Sequence, residues 1–211
     1  MDYLSPLMSN EELIAHDKTM HDRFRDDPER FMPGYGVPAR YHAVTLENFS
    51  GGEQYVARLR QFVEAPEESA LLYGPCGSGK THLAVGTLKA MRARIPEWSR
   101  ETLFVTVPDL LEGIRASFRG VDADDPGSLT RYSTCAFLVL DDLGAERATD
   151  FTLDRLYLIL SRRINAFLPT VVTTNLEPAE IKAKLDPRIA SRLSGFLCIH
   201  VRMPDHRKAR S

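Results

Sequence analysis

One octapeptide limits the possible folds more than any other part of the chain: Gly74-Pro75-Cys76-Gly77-Ser78-Gly79-Lys80-Thr81. It fits G-x-x-x-x-G-K-[S/T] at every fixed position. Its glycines allow backbone N–H groups to turn inward around an anion with no Cβ in the way. Lys80 is long enough to reach the outer phosphates of a nucleoside triphosphate, and the Thr81 hydroxyl is placed for Mg²⁺. Such a loop works where a buried strand hands over to a helix, whose N-terminal dipole favours the anion. Both neighbours are present: an apolar run over 70–73, then a helical pattern over 81–94. Candidate nucleotide contacts are therefore Gly74, Pro75, Cys76, Gly77, Ser78, Gly79, Lys80, Thr81 and His82 in the helix's first turn.

The same alternation continues along the chain. Short apolar runs over 103–106, 136–140, 170–174 and 196–201 read as strands. Alongside them, helices are expected over 53–63, 109–118, 150–166, 178–185 and 188–193, the second of these stretches being followed by a polar loop over 122–127. Strands that alternate with helices in this way build an α/β domain with a five-stranded parallel sheet covered on both faces. Residues 1–40 differ: they are polar, are broken by Pro6, Pro28, Pro33 and Pro38, and carry a capping box at Ser9–Glu12. They are expected to form an arm with one short helix, ahead of an ATP-binding domain over 41–211.

Composition narrows the setting. With 211 residues the chain suits one α/β domain, and its net charge of −2 gives no overall field for nucleic acid. Any DNA contact would need a local patch. Lys89, Arg92, Arg94, Arg100, Arg202, Arg207, Lys208 and Arg210 are the candidates, with Trp98 and Tyr132 as stacking residues. No apolar run approaches the length of a membrane span, and no secretion signal opens the chain, so a cytoplasmic setting is expected. The three cysteines, Cys76, Cys135 and Cys198, are far apart and form no metal or disulfide pattern. Cys135 and Cys198 are expected to be buried structural thiols.

Three further segments carry chemistry. Phe137–Leu140 ends in Asp141-Asp142, which sets acids at the C-terminal edge of the sheet, where open α/β sheets bind ligands. Asp141 is the candidate Mg²⁺ ligand, and Asp142 the candidate for polarising the attacking water, with Glu146 as an alternative. One helix later, Val171-Val172-Thr173-Thr174-Asn175 ends in an amide able to bond a γ-phosphate or its water. Finally, Arg188 and Arg192 stand at i and i+4 on one helix face, as a solvated face or as a finger for a neighbouring subunit's phosphate.

Taken together, DDLGAER at 141–147, TTNL at 173–176 and RIASRL at 188–193, beside the phosphate loop, resemble the AAA+ ATPases of the DnaC/DnaI helicase-loader and IstB transposition-helper group. The resemblance extends from Gly36 to Arg207. It implies the AAA+ sheet order, ATP and Mg²⁺ as cofactors, and slow hydrolysis stimulated by a partner or DNA. It makes Asn175 a sensor and Arg188 a finger, with Arg192 as support, and implies ATP-dependent homo-oligomers. It also implies a replicative helicase or a transposase as partner and contact with DNA, single-stranded by preference. A DNA-binding adaptor that uses ATP as a structural switch is the remaining expectation. No helical lid is expected after the last strand, and the segment over 37–49 is expected to lie against the adenine.

Overall fold

The computed structural model describes residues 32–66, 68–95, 101–118, 129–145 and 149–205. The proposed arm helix, the loop over 122–127, Glu146, Trp98, Arg100, Arg207, Lys208 and Arg210 lie outside them. Five strands, β1 (Ala70–Tyr73), β2 (Thr102–Thr106), β3 (Phe137–Leu143), β4 (Thr170–Thr174) and β5 (Leu197–His200), form one sheet. The order is β2-β3-β4-β1-β5, and every pair is parallel. Helices α1 (Glu53–Glu64) and α2 (Lys80–Arg92) cover one face. On the other lie α3 (Val107–Phe118), α4 (Leu129–Thr134), α5 (Asp150–Asn165), α6 (Pro178–Lys184) and α7 (Pro187–Leu193).

Strand alternation divides the core in two. Leu72, Val139, Val171 and Ile199 join Leu59, Leu83 and Leu88 on the α1/α2 side. Leu71, Leu138, Leu140 and Val172 join Leu110, Leu156, Ile159 and Ile189 on the other. Each buried aliphatic side chain contributes about 1.5–3 kcal/mol. The sheet is therefore held from both faces, and the C-terminal ends of β1, β3 and β4 are fixed against one another.

Packing begins upstream of Tyr41. Tyr35 and Val37 already belong to the α1/α2 core, and Gly36, at φ +79, passes so close to Phe104 O that an added Cβ would lie 2.3 Å from it. This segment accounts for two of the basic candidates for DNA, and α1 for a third. Lys89 and Arg92 are buried: Lys89 Nζ donates to His42 O, and Arg92 donates to Tyr35 Oη and Ile95 O. Arg94 pairs with Glu64 at 2.8 Å. These side chains fasten the entry segment and the helix end instead of presenting a basic patch.

One helix, the six-residue α4 rich in Thr and Ser, lies where no helix is expected from the sequence. Tertiary contacts hold it in place. Arg163, wholly buried, donates to Tyr132 O at 3.0 Å and Cys135 O at 2.8 Å beyond the end of α4. It also donates to Pro169 O at 2.9 Å and Thr170 Oγ1 at 2.8 Å at the start of β4. One guanidinium thus joins α4, α5 and β4, with no carboxylate among its partners. Cys135 is buried there as expected, and burial pushes its thiol pKa up. Cys198 is exposed, contrary to expectation, because β5 is an edge strand.

Candidate nucleotide-binding site

The loop between β1 and α2 stands at the C-terminal edge of the sheet, and its glycines are demanded by their neighbours. Gly74, Gly77 and Gly79 all have positive φ, at 140°, 76° and 90°. A Cβ on Gly74 would lie 2.4 Å from Val201 O, and one on Gly79 2.5 Å from the Phe49 ring. On Gly77 it would lie 1.8 Å from Asp205 Oδ1, because the chain leaving β5 sets that carboxylate against the middle of the loop. Gly77→Ala is thus expected to weaken ATP binding at least tenfold while leaving far-UV circular dichroism unchanged, read by titration with a fluorescent ATP analogue.

Lys80 is buried, and its Nζ donates to Gly74 O at 2.9 Å and Pro75 O at 2.7 Å, curled back over the loop. Thr81 Oγ1 donates to Asp141 Oδ1 and Oδ2 at 3.0 and 3.1 Å. Asp141 is 3% exposed and also accepts from Thr173 Oγ1 at 2.6 Å. Burial, reinforced by the adjacent Asp142 carboxylate, pushes the Asp141 pKa up to about 6 against the pull of Thr173, Thr81 and Lys80. A hydroxyl and a carboxylate converge here as hard oxygen donors. This set suits Mg²⁺, which is held by one or two protein oxygens together with phosphate and water. Among the described residues no cage of three or more His, Cys, Asp or Glu competes for the ion.

The acid strand runs further than its sequence suggests. β3 continues to Leu143 through a bulge: Leu140 pairs with Val172 and Leu143 with Thr174, so the acid pair accommodates one extra residue. Asp142 takes the left-handed φ of 58°, its N–H held by Thr173 Oγ1 at 3.0 Å. Its half-buried carboxylate makes no hydrogen bond with the described residues, whereas Asp141 is fully engaged. Thr173 therefore braces both acids, a role the sequence reading leaves unassigned. Gly144, at φ +88, lets the Leu176 side chain cross within 2.6 Å of where a Cβ would stand. This close approach is the physical link between the DDLG and TTNL segments. Asn175 follows β4 directly and is exposed.

The remaining candidates are placed differently. His82 Nε2 lies 3.0 Å from both Thr45 O and Asn48 Oδ1, so this nitrogen carries the proton and the ring serves the entry segment. The His82 ring also meets Phe49 edge-on. Cys76 is exposed on the loop. Arg188 and Arg192 do share one face of α7, as their spacing predicts, but that face is packed and not merely solvated. Both lie over the Tyr157 ring on α5, and Arg188 pairs with Asp154 and Asp186. Neither bonds to the phosphate loop of its own chain. The apolar cleft of about 190 Å³ lined by Ile164, Leu168, Pro169 and Phe196 sits where strands begin, at the edge opposite the loop.

A family model described as IstB-like ATP binding protein matches residues 50–200. Over 165 residues the chain is 24% identical to the replicative helicase loader DnaC of Escherichia coli (strain K12), covering 75% of this chain and 66% of the relative. Identity to the replicative helicase loader DnaI of Bacillus subtilis (strain 168) is 30% over 112 residues, 53% of this chain and 34% of that one. The chain thus spans just under two thirds of the first relative and about a third of the second. A crystal structure of the DnaC helicase loader superposes with a TM-score of 0.68 at 26% identity, covering 78% of this chain and 100% of that one.

Proposed function

Since the chain belongs to the IstB-like ATP binding protein family, we propose that it is a Mg²⁺-dependent ATPase that loads or remodels a replicative helicase. Its fold is the AAA+ P-loop core with the expected strand order, and among the described residues no helical lid follows β5. The observation that carries the proposal is the bonded set Thr81–Asp141–Thr173 beneath the phosphate loop, in a core that spans the whole crystallised DnaC chain.

In this reading the loop amides and Lys80 hold the triphosphate, with Lys80 exchanging its two carbonyl partners for phosphate oxygens. Thr81 and Asp141 hold Mg²⁺, which neutralises charge on the outer phosphates. Asp142, half-buried and with a carboxylate that makes no hydrogen bond with the described residues, polarises the attacking water, while Asn175 orients it or the γ-phosphate. Glu146 keeps its place as an alternative for the water. Arg188 completes the site of a neighbouring subunit, which makes turnover slow in the monomer and links ATP to homo-oligomer formation. Partner or DNA, single-stranded by preference, stimulates turnover by stabilising that arrangement. Among the described residues no helix is long and apolar enough to cross a membrane.

The resemblance to IstB transposition helpers supplies one other reading: a transposase as partner, served by the same ATP chemistry. Capture on immobilised helicase and on immobilised transposase, with ATP and Mg²⁺ and with Lys80→Ala as control, separates the two. ATP-dependent retention on helicase alone is the expected result. Retention on transposase alone would move the function to transposition, and retention on neither would leave a DNA-binding adaptor.

A further inference from the structure

Arg188 is held in one orientation before any neighbour arrives. Its Nε donates to Asp186 Oδ1 and Oδ2 at 3.1 and 3.2 Å, and its Nη2 donates to Asp186 Oδ2 and Asp154 Oδ1, both at 2.9 Å. The Cζ atom stands 5.1 Å from the centroid of the Tyr157 ring. Asp186 is itself fixed as the N-cap of α7, accepting the Arg188 N–H at 2.6 Å. Asp154 and Tyr157 are three residues apart on α5 and so present one edge and one ring to the same guanidinium. Only Nη1 makes no hydrogen bond with the described residues.

A guanidinium is planar, so bonds at Nε and Nη2 together with a ring beneath it determine where Nη1 points. Exposed ion pairs of this kind contribute little to stability. Their effect here is orientational, since a donor held in place does not have to be ordered at the moment of reaction. We propose that Asp154, Asp186 and Tyr157 are positioning residues that hold Arg188 with its Nη1 edge presented to the γ-phosphate bound by a neighbouring copy of this chain. The proposal rests on the reading of Arg188 as a finger.

Steady-state ATP turnover, measured at a protein concentration that supports assembly, tests this with Asp154→Asn, Tyr157→Leu, Tyr157→Phe and Arg188→Ala. Asp154→Asn and Tyr157→Leu are expected to lower kcat roughly tenfold with KM for ATP unchanged. Tyr157→Phe, which keeps the ring, should retain wild-type turnover. Tm should remain within a few degrees of wild type throughout, because Asp154 and Arg188 are about half exposed and Tyr157 only borders the core. If Arg188→Ala abolishes turnover while Asp154→Asn and Tyr157→Leu do not lower it, the clamp fails and the finger stands. If Arg188→Ala turns over like wild type, the finger reading fails and the clamp with it.

Discussion

Arg163→Met is expected to destabilise the domain by about 3–5 kcal/mol, a large share of the 5–15 kcal/mol that typically separates folded from unfolded. The side chain is fully buried, and its removal strands the Cys135 carbonyl and takes the charged donor from Tyr132 O, Pro169 O and the Thr170 hydroxyl, which keep only longer bonds to Cys135 Sγ, the Leu138 N–H and Leu168 O. A stranded carbonyl costs about 1–3 kcal/mol and each lost bond to a charged donor about 1.5–3 kcal/mol, and partial relaxation keeps the total below their sum. Arg163→Lys should fall between, since one ammonium cannot span acceptors on α4 and β4 together. Urea unfolding gives the numbers directly. A loss under 1 kcal/mol for Arg163→Met would mean that α4 is held by its apolar contacts alone.

Asp141→Asn should have opposite effects on stability and on activity. The buried carboxyl titrates at about 6 in the fold and near 4 when unfolded, so the folded protein holds that proton more tightly. Between those values the folded state binds more protons, and stability falls as pH rises. The cost is absent below about pH 4 and complete above about pH 6, reaching up to about 3 kcal/mol. Asparagine keeps an acceptor for Thr81 and Thr173 but carries no charge to desolvate. Metal-free Asp141→Asn is therefore expected to exceed wild type by about 1–3 kcal/mol at pH 7.5 and to match it at pH 4. Its Mg²⁺-dependent turnover should drop at least about 100-fold. Thermal melts at the two pH values test the first part, since equal differences at both would remove burial of the Asp141 charge as the cause.

Much of the fold is legible in the sequence because its strands are short apolar runs bounded by polar helices. The phosphate loop is legible because glycine spacing is a backbone requirement, now seen in the close approaches of Val201, Asp205 and Phe49. What escapes reading depends on distant contacts. The six residues of α4 carry no strong helical signal and are held by Arg163, some thirty residues away. Lys89 and Arg92 read as surface charges because their acceptors, His42 O and Tyr35 Oη, belong to the entry segment. β3 ends at Leu140 on its apolar pattern, yet Thr173 carries the ladder through the bulge to Leu143. Thr173 itself looks like any strand threonine, and only its placement between Asp141 and Asp142 reveals its use.

Hydrolysis completed between subunits is tested most directly by mixing two inactive variants. Arg188→Ala keeps the phosphate loop and acid pair but offers no finger, and Lys80→Ala keeps the finger but has lost the loop lysine. Each alone should turn over ATP at least about tenfold more slowly than wild type. Mixed in equal amounts, they should recover a substantial fraction of wild-type turnover, rising with total protein concentration, because the Arg188 of one variant serves the nucleotide of the other. A mixture no more active than the mean of its two components would contradict completion of the site by a neighbouring subunit.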